Sequence, residues 1–279
     1  VILRKVGLEV GPTPEMKPWH QFLQRKVDAT ETVRIGLVGK YVELQDAYKS
    51  IDESLLQAAI YNDRKLDLHL FHSEKLNDGN AAELLKDMDG ILIAPGFGQR
   101  GIEGKFAALK YARENDVPCL GICLGMQCMV IEFARNVMGL AEANSTEMEP
   151  NTPYKVIDLM EEQKGVTAKG GTMRLGAYPC KLEKDSLAYQ VYGEEVIYER
   201  HRHRYEVNND YREVLEENGM SLCGLSPDSR IVEMVEIPSH PWFIATQAHP
   251  ELKSRPNRPH PLFKGFVEAA LENQKEKNK

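Results

Sequence analysis

The stretch Val117-Pro118-Cys119-Leu120-Gly121-Ile122-Cys123-Leu124-Gly125-Met126-Gln127-Cys128-Met129-Val130-Ile131 constrains this chain more than any other. A short apolar run ends in Gly-x-Cys-x-Gly and passes directly into a longer apolar run of helical character. Strand, tight turn and helix in that order lift a nucleophilic side chain above a sheet edge, here with cysteine in place of serine. Gly121 and Gly125 lack a Cβ, so the chain can turn sharply around Cys123 and hold it in a strained conformation. At the N-terminus of a helix the sulfur meets the dipole and the free amides, which favour thiolate over thiol. A buried cysteine in a glycine-rich βα turn has the same pentapeptide, so the remaining chain must separate the two readings.

Much of that chain reads as strands alternating with helices. Strands are expected at 33–39, 66–72, 90–94 and 119–122, and helices at 81–86, 101–114 and from Asp46, as cap, to about Asn62. Such alternation builds an α/β fold with a mostly parallel sheet and flanking helices. Sites in these sheets lie beyond the carboxyl ends of the strands, where Cys123 and the turn Pro95-Gly96-Phe97-Gly98 both fall. After Val137 the pattern changes to short strands and loops, including a glycine-bounded segment at 169–176. Strands are expected again at 231–237 and 242–248, and a helix at 261–272. Residues 1–31, with Pro12, Pro14 and Pro18 and an amphipathic piece around Trp19, Phe22, Leu23 and Val27, read as a linker packed on the domain surface. Residues 32–273 form one domain, and 274–279 a charged, frayed tail.

The net charge of −7 argues against general affinity for nucleic acid, and no apolar run approaches the roughly 20 residues of a membrane helix. Cys119, Cys123 and Cys128 crowd one βα unit in a C-x3-C-x4-C spacing unlike a zinc site. Five cysteines, an odd number, imply a reducing compartment, so a cytoplasmic, metal-free protein without a membrane or nucleic-acid partner is expected.

A cysteine nucleophile needs a base, and the base an orienting partner. His249 stands out because it ends a strand-like run as His249-Pro250-Glu251. Pro250 biases His249 to an extended conformation, and residues two apart in extended chain share a face. Glu251 therefore falls beside His249, able to hold one ring nitrogen and leave the other for Cys123. His69 and His72 read as structural or solvated. His201 and His203 sit in the charged run Glu199-Arg200-His201-Arg202-His203-Arg204, which reads as a solvated face or a contact for an anion.

The elbow followed much later by His-Pro-Glu resembles the triad-type glutamine amidotransferases. Gly39-Lys40-Tyr41-Val42, Asp46-Ala47-Tyr48-Lys49-Ser50, Gly170-Gly171-Thr172-Met173-Arg174-Leu175-Gly176, Arg200-His201-Arg202-His203-Arg204-Tyr205-Glu206-Val207-Asn208 and Ser254-Arg255-Pro256 narrow the resemblance to the CTP synthase family, over about residues 33–266. The resemblance implies a flavodoxin-like or Rossmann-like amidotransferase fold. It implies hydrolysis of L-glutamine by Cys123, His249 and Glu251 through a thioester, with Gly96, Phe97, Leu124, Gln127, Glu147, Arg204 and Tyr205 around the substrate. Oxyanion donors are then the backbone amides of the 95–98 turn, one glycine shorter than the family's usual Pro-Gly-Gly-Phe-Gly, and of Leu124. Glu147 faces the substrate ammonium and Arg204 its carboxylate.

The resemblance further implies no cofactor in this domain, with ATP and Mg2+ serving a synthetase part whose end residues 1–31 resemble. GTP is implied as an allosteric activator, with Arg100 and Arg174 as candidate contacts, and a homo-oligomer as the whole protein. No G-x-x-x-x-G-K-[ST] run is present, in keeping with ATP chemistry elsewhere. The competing expectations are a catalytically silent regulatory or assembly domain, and a γ-glutamyl hydrolase of the same fold.

Overall fold

In a computed structural model describing residues 2–12, 15–44, 46–160 and 173–279, the first half of the domain is a run of βα units. Two N-terminal helices, α1 (Ile2–Lys5) and α2 (Lys17–Asp28), lead into β1 (Thr32–Gly39), α3 (Lys49–Tyr61), β2 (Lys65–His72), α4 (Ala81–Leu85), β3 (Gly90–Ile93), α5 (Ile102–Glu114), β4 (Cys119–Ile122) and α6 (Leu124–Asn136). The second half holds β5 (Ala143–Ser145), β6 (Tyr154–Leu159), β7 (Arg174–Leu182), α7 (Leu187–Tyr192), β8 (Val196–His203), β9 (Tyr205–Val207), α8 (Arg212–Glu217), β10 (Ser221–Leu225), β11 (Val232–Glu236), β12 (Phe243–Thr246) and α9 (Pro261–Lys277). No helix among the described residues is long and apolar enough to cross a membrane.

Nine strands form one sheet in the order β2-β1-β3-β4-β12-β11-β10-β7-β8, and β5-β6-β9 form a small second sheet. The expected mostly parallel sheet holds only for the half that carries the elbow. The pairs β1–β2, β1–β3, β3–β4 and β4–β12 are parallel, whereas β12–β11, β11–β10, β10–β7 and β7–β8 are antiparallel. Parallel neighbours need a crossover segment of a dozen residues or more, usually a helix. Neighbours such as β10 and β11 are joined too tightly for one, so they pair antiparallel.

β3 and β4 are buried throughout, and their side chains alternate between two apolar layers. Ile91, Ile93 and Cys119 face the layer of α5 and α6, while Leu92, Leu120 and Ile122 face that of α3 and α9. Each fully buried aliphatic side chain contributes about 1.5–3 kcal/mol, which makes this double-faced centre the most stable part of the fold. The first eleven residues of α6 are all buried, which is why the sequence there reads as nearly unbroken apolar. Its one buried carboxylate, Glu132, is gripped by Arg113 of α5 through Nε at 3.0 Å and Nη2 at 2.8 Å.

Several boundaries differ from the sequence expectation. The helix expected to be capped by Asp46 begins at Lys49 with Tyr48 at the cap, because Tyr48 is drawn into the core and its hydroxyl accepts from Lys40 N at 3.2 Å. Helix α9 runs on to Lys277 instead of fraying from Asn273. The Gln274 amide donates to Asp89 Oδ2 at 2.7 Å and to Thr32 O at 3.0 Å, and Lys277 Nζ to Met88 O at 2.7 Å. Helix α2 lies beside α3 as a linker might, with Arg25 Nη1 donating to Tyr61 O, yet it buries no residue. Of the glycine-bounded segment at 169–176, residues 169–172 lie outside the described residues.

The charged run at 199–204 is not a solvated face. It belongs to β8, whose strict alternation turns Ile197, Glu199, His201 and His203 inward and Tyr198, Arg200 and Arg202 outward. Period-two placement overrides composition here. Glu199 is held by His260 Nε2 at 2.9 Å and Lys253 Nζ at 3.1 Å. His201 Nδ1 lies 3.6 Å from Glu233, which in turn pairs with Arg174 at 2.7 Å. Burial, followed by the Arg174 and His249 charges, pushes His201 down to about 3, and burial pushes His203 well below the ordinary imidazole range.

Two outcomes follow from this packing. A Cβ on Gly104 of α5 would stand 1.8 Å from the Ser73 carbonyl, so Gly104→Ala should lower stability by about 1–3 kcal/mol in urea unfolding. For His201 the folded pKa lies below the unfolded value, so its contribution is present above pH 6.5 and lost as pH falls toward 3. Compared with His201→Gln, the unsubstituted protein should therefore lose stability more steeply across that window, by up to about 1.4 kcal/mol per pH unit in denaturant titrations.

Candidate active site

Cys123 is the N-cap of α6 and has φ 52° and ψ −103°, a region that non-glycine residues seldom occupy. Such a conformation costs about 1–3 kcal/mol and persists only where its surroundings fix it. Here Cys123 N donates to Thr246 O at 2.8 Å, tying the elbow to the neighbouring strand β12. The glycines act differently from the sequence expectation, since neither Gly121 nor Gly125 has a positive φ. They permit close approach instead. A Cβ on Gly125 would lie 2.3 Å from Ile93 O, and one on Gly121 would lie 2.8 Å from the Ala245 Cβ.

β4 and β12 pair in parallel, with Thr246 opposite Ile122, so the residues following both strands emerge at the same sheet edge. That brings His249 to Cys123. The His249 backbone is fixed by N–H donation to Arg200 O at 2.7 Å, and its Nδ1–H donates to Glu251 Oε1 at 2.7 Å. Glu251 falls in a 3-10 turn, Pro250–Leu252, and not in extended chain, yet reaches the ring as expected. Nε2 is buried without a hydrogen-bond partner among the described residues, and the Cys123 sulfur acts on the ring electrostatically. Burial alone would lower this imidazole, but the Cys123 sulfur and then Glu251 outweigh it and push it up to about 10. The other four thiols are buried and free, and loss of solvent raises each of them, Cys128 to about 12. Cys123 alone stands against an imidazole.

A cavity of about 510 Å³ opens beside the sulfur and gathers all seven residues expected around a substrate: Gly96, Phe97, Leu124, Gln127, Glu147, Arg204 and Tyr205. The second sheet supplies two of them, Glu147 just beyond β5 and Tyr205 at the start of β9. A second hollow on the other side of Cys123 is bordered by Tyr41, Arg202, His249 and Glu251. The 95–98 turn closes without the extra glycine. Gly98 N donates to Glu147 Oε1 at 2.9 Å, and the Lys40 and Lys105 ammonium groups hold Phe97 O and Ala94 O. With its carbonyls so engaged, the turn leaves the Gly96 and Phe97 N–H groups without a protein acceptor among the described residues. Leu124 N–H, in the first turn of α6, has no intrahelical acceptor either. All three residues line the cavity beside Cys123.

Gln127 is more committed than expected, since its Nε2 donates to Tyr205 O at 3.0 Å and to Gln247 Oε1 at 3.1 Å. The two candidate nucleotide contacts are far apart in character. Arg100 is exposed, pairs with Glu74 at 3.3 Å and stacks over Tyr41. Arg174 is buried against Glu233 and over the Tyr178 ring, and neither lines the cavity.

Sequence reasoning missed Gln247, whose Nε2 lies 3.6 Å from the sulfur, as well as Lys40, Lys105 and Arg202, whose carbonyl oxygen is 3.9 Å from Sγ. Gln247 was within reach of the argument, because it stands two residues before His249 in extended chain. No local pattern marks a lysine that will be buried. Among the described residues no cluster of three or more His, Cys, Asp or Glu side chains could hold a metal ion.

Known proteins resemble this chain over most of its length. The family model Glutamine amidotransferase class-I matches residues 43–269. The CTP synthase of Porphyromonas gingivalis is 62% identical over 274 residues, which cover 98% of this chain and 51% of that protein. That of Methanocaldococcus jannaschii is 57% identical over 264 residues, 92% of this chain and 49% of that protein. The solved glutaminase domain of Trypanosoma brucei CTPS, with bound acivicin, superposes with a TM-score of 0.81 at 39% identity, covering 86% of this chain and 94% of that one. The chain thus spans about half the length of the curated relatives it matches. It belongs to the class-I glutamine amidotransferase family, and within that family to the glutaminase domains of CTP synthases.

Proposed function

We propose that the chain hydrolyses L-glutamine to glutamate and ammonia, with Cys123, His249 and Glu251 as the catalytic residues. The observation that carries this is the sulfur, imidazole and carboxylate aligned at one sheet edge beside a cavity that holds both an acid and a base. Cys123 attacks the side-chain amide carbon as a thiolate, and the carbonyl π pair moves to oxygen. The amides of Gly96, Phe97 and Leu124 meet that oxyanion, each such donor being worth about 3–4 kcal/mol where it has been removed in other enzymes. His249, protonated and oriented by Glu251, gives its proton to the departing nitrogen as the C–N bond breaks, leaving a thioester and ammonia. A water then loses a proton to His249 and attacks the thioester, and the C–S bond breaks to release glutamate and the thiolate.

The substrate carries an ammonium and a carboxylate. Glu147 and Arg204, both lining the cavity, match them in charge, with Gln127 and Tyr205 in the same lining. Glu147 accepts from Gly98 N–H at the same time, so binding of the ammonium and the set of the oxyanion turn are linked through one carboxylate.

The ammonia would serve the ATP- and Mg2+-dependent amination of UTP to CTP in a synthetase part joined to this one, in an oligomeric, cytoplasmic enzyme. GTP would activate the hydrolysis, with Arg100 among its contacts. Arg174 would reach a nucleotide only after its pair with Glu233 opens.

Glutamate release from glutamine, with and without GTP, tests the reading. Cys123→Ala should abolish release, a loss of at least about 1,000-fold, and turnover retained in that variant would refute the assignment. Arg204→Met should raise KM at least about tenfold with a smaller change in kcat, since it removes a contact present before and during reaction.

A further inference from the structure

Lys105 of α5 is buried close to the site, at 1% exposure. Its ammonium donates to the Ala94 carbonyl, and among the described residues no carboxylate pairs with it. It stands directly beneath the oxyanion turn, because a Cβ on Gly96 would be 4.0 Å from Nζ. A buried ammonium without a counter-charge costs several kcal/mol, so the fold keeps it there against a considerable penalty.

The groups that face Lys105 come from three directions. Lys40, after β1, adds a second positive charge. Cys128 and Cys123, from α6, are the groups that favour its ammonium form, and Glu103 on its own helix acts on Cys128. With the Cys128 thiol pushed up to about 12, Cys123 is the one of these thiols that turns negative during the reaction. Burial first, with Lys40 in addition, pushes Lys105 down to about 8, and the two sulfurs act against that fall. The interaction is reciprocal, so an ammonium favoured by the sulfur favours the thiolate by the same amount.

We infer that Lys105 is a positioning residue for the hydrolysis at Cys123: its ammonium fixes the Ala94 carbonyl so that the oxyanion turn presents its amides, and it supplies positive charge behind the nucleophile. This rests on the glutaminase reading for its kinetic consequence, but its electrostatic part does not. A neutral donor could hold the carbonyl, but only a charged one holds it more strongly and also supplies positive charge behind the sulfur.

The test uses the whole chain with Lys105→Met and Lys105→Arg, following the pH dependence of Cys123 alkylation by iodoacetamide with Cys123→Ala as the blank. Lys105→Met should move the alkylation midpoint up by about 0.5–1 pH unit. It should also lower kcat for glutamate release about tenfold with KM within about twofold. Lys105→Arg should return the midpoint toward the original value. A folded Lys105→Met with unchanged midpoint and kcat overturns the inference. Absence of Cys123-dependent glutamate release from the unsubstituted protein would overturn the glutaminase reading instead, while the alkylation midpoint would still decide the electrostatic role. If Lys105→Met fails to fold, carbon-13 NMR of labelled lysines in the unsubstituted protein and in Cys123→Ala replaces it. The buried lysine should titrate at lower pH once the sulfur is gone, and an identical midpoint in both proteins overturns the inference.

Discussion

The site depends on how closely α6 can approach β3. Gly125 brings the helix backbone to within contact of the Ile93 carbonyl, and no residue with a side chain could do so without moving one of them. From that approach the rest follows. The helix start is pressed against the sheet edge, and Cys123 is left to absorb the reversal in a left-handed conformation. The strain is held by the apolar layers on both faces of β3 and β4, whose burial is large compared with the one to three kcal/mol involved. A less thoroughly buried strand would relax, and the sulfur would turn away from the imidazole.

Charge around the sulfur is arranged in depth. His249 is driven toward the protonated form by its sulfur and carboxylate neighbours, whereas His201 and His203 on β8 are driven toward the neutral form by burial. Three imidazoles close together thus have opposite tendencies. The neutral pair avoids placing further positive charge against His249 from the inner face of β8, while Arg202, on the outer face, borders the hollow that His249 and Glu251 also line.

The parallel half of the fold was legible because each of its elements carries its own local signal. β-branched runs, glycine punctuation and apolar spacing all agree over 33–122. The nearness of Cys123, His249 and Glu251 was legible for a related reason, since Gly-x-Cys-x-Gly and His-Pro-Glu each restrict the backbone on which they stand. The antiparallel half was not. Pairings such as β7 with β10 are set by the sheet edge left open by the first half, and no window of sequence contains both partners. The inward turn of His201 and His203 was hidden by the arginines that alternate with them, which made a buried strand face look like a charged surface. Lys105 was hidden more completely, because nothing near it in sequence distinguishes it from a solvated helical lysine.

The parallel pairing of β4 with β12 carries a consequence for how such a protein can diversify. Cys123 and His249 follow adjacent strands at the centre of the sheet, although nearly half the chain separates them. Of the strands between, β5, β6 and β9 form the small second sheet, while β7, β8, β10 and β11 extend the large sheet beyond β12. That interval contributes the acid and base of the cavity but no member of the triad. β8 in that interval also holds the His249 backbone through Arg200 O, and β11 pairs with β12, so what the site accepts can change only where the strands of the interval keep that register.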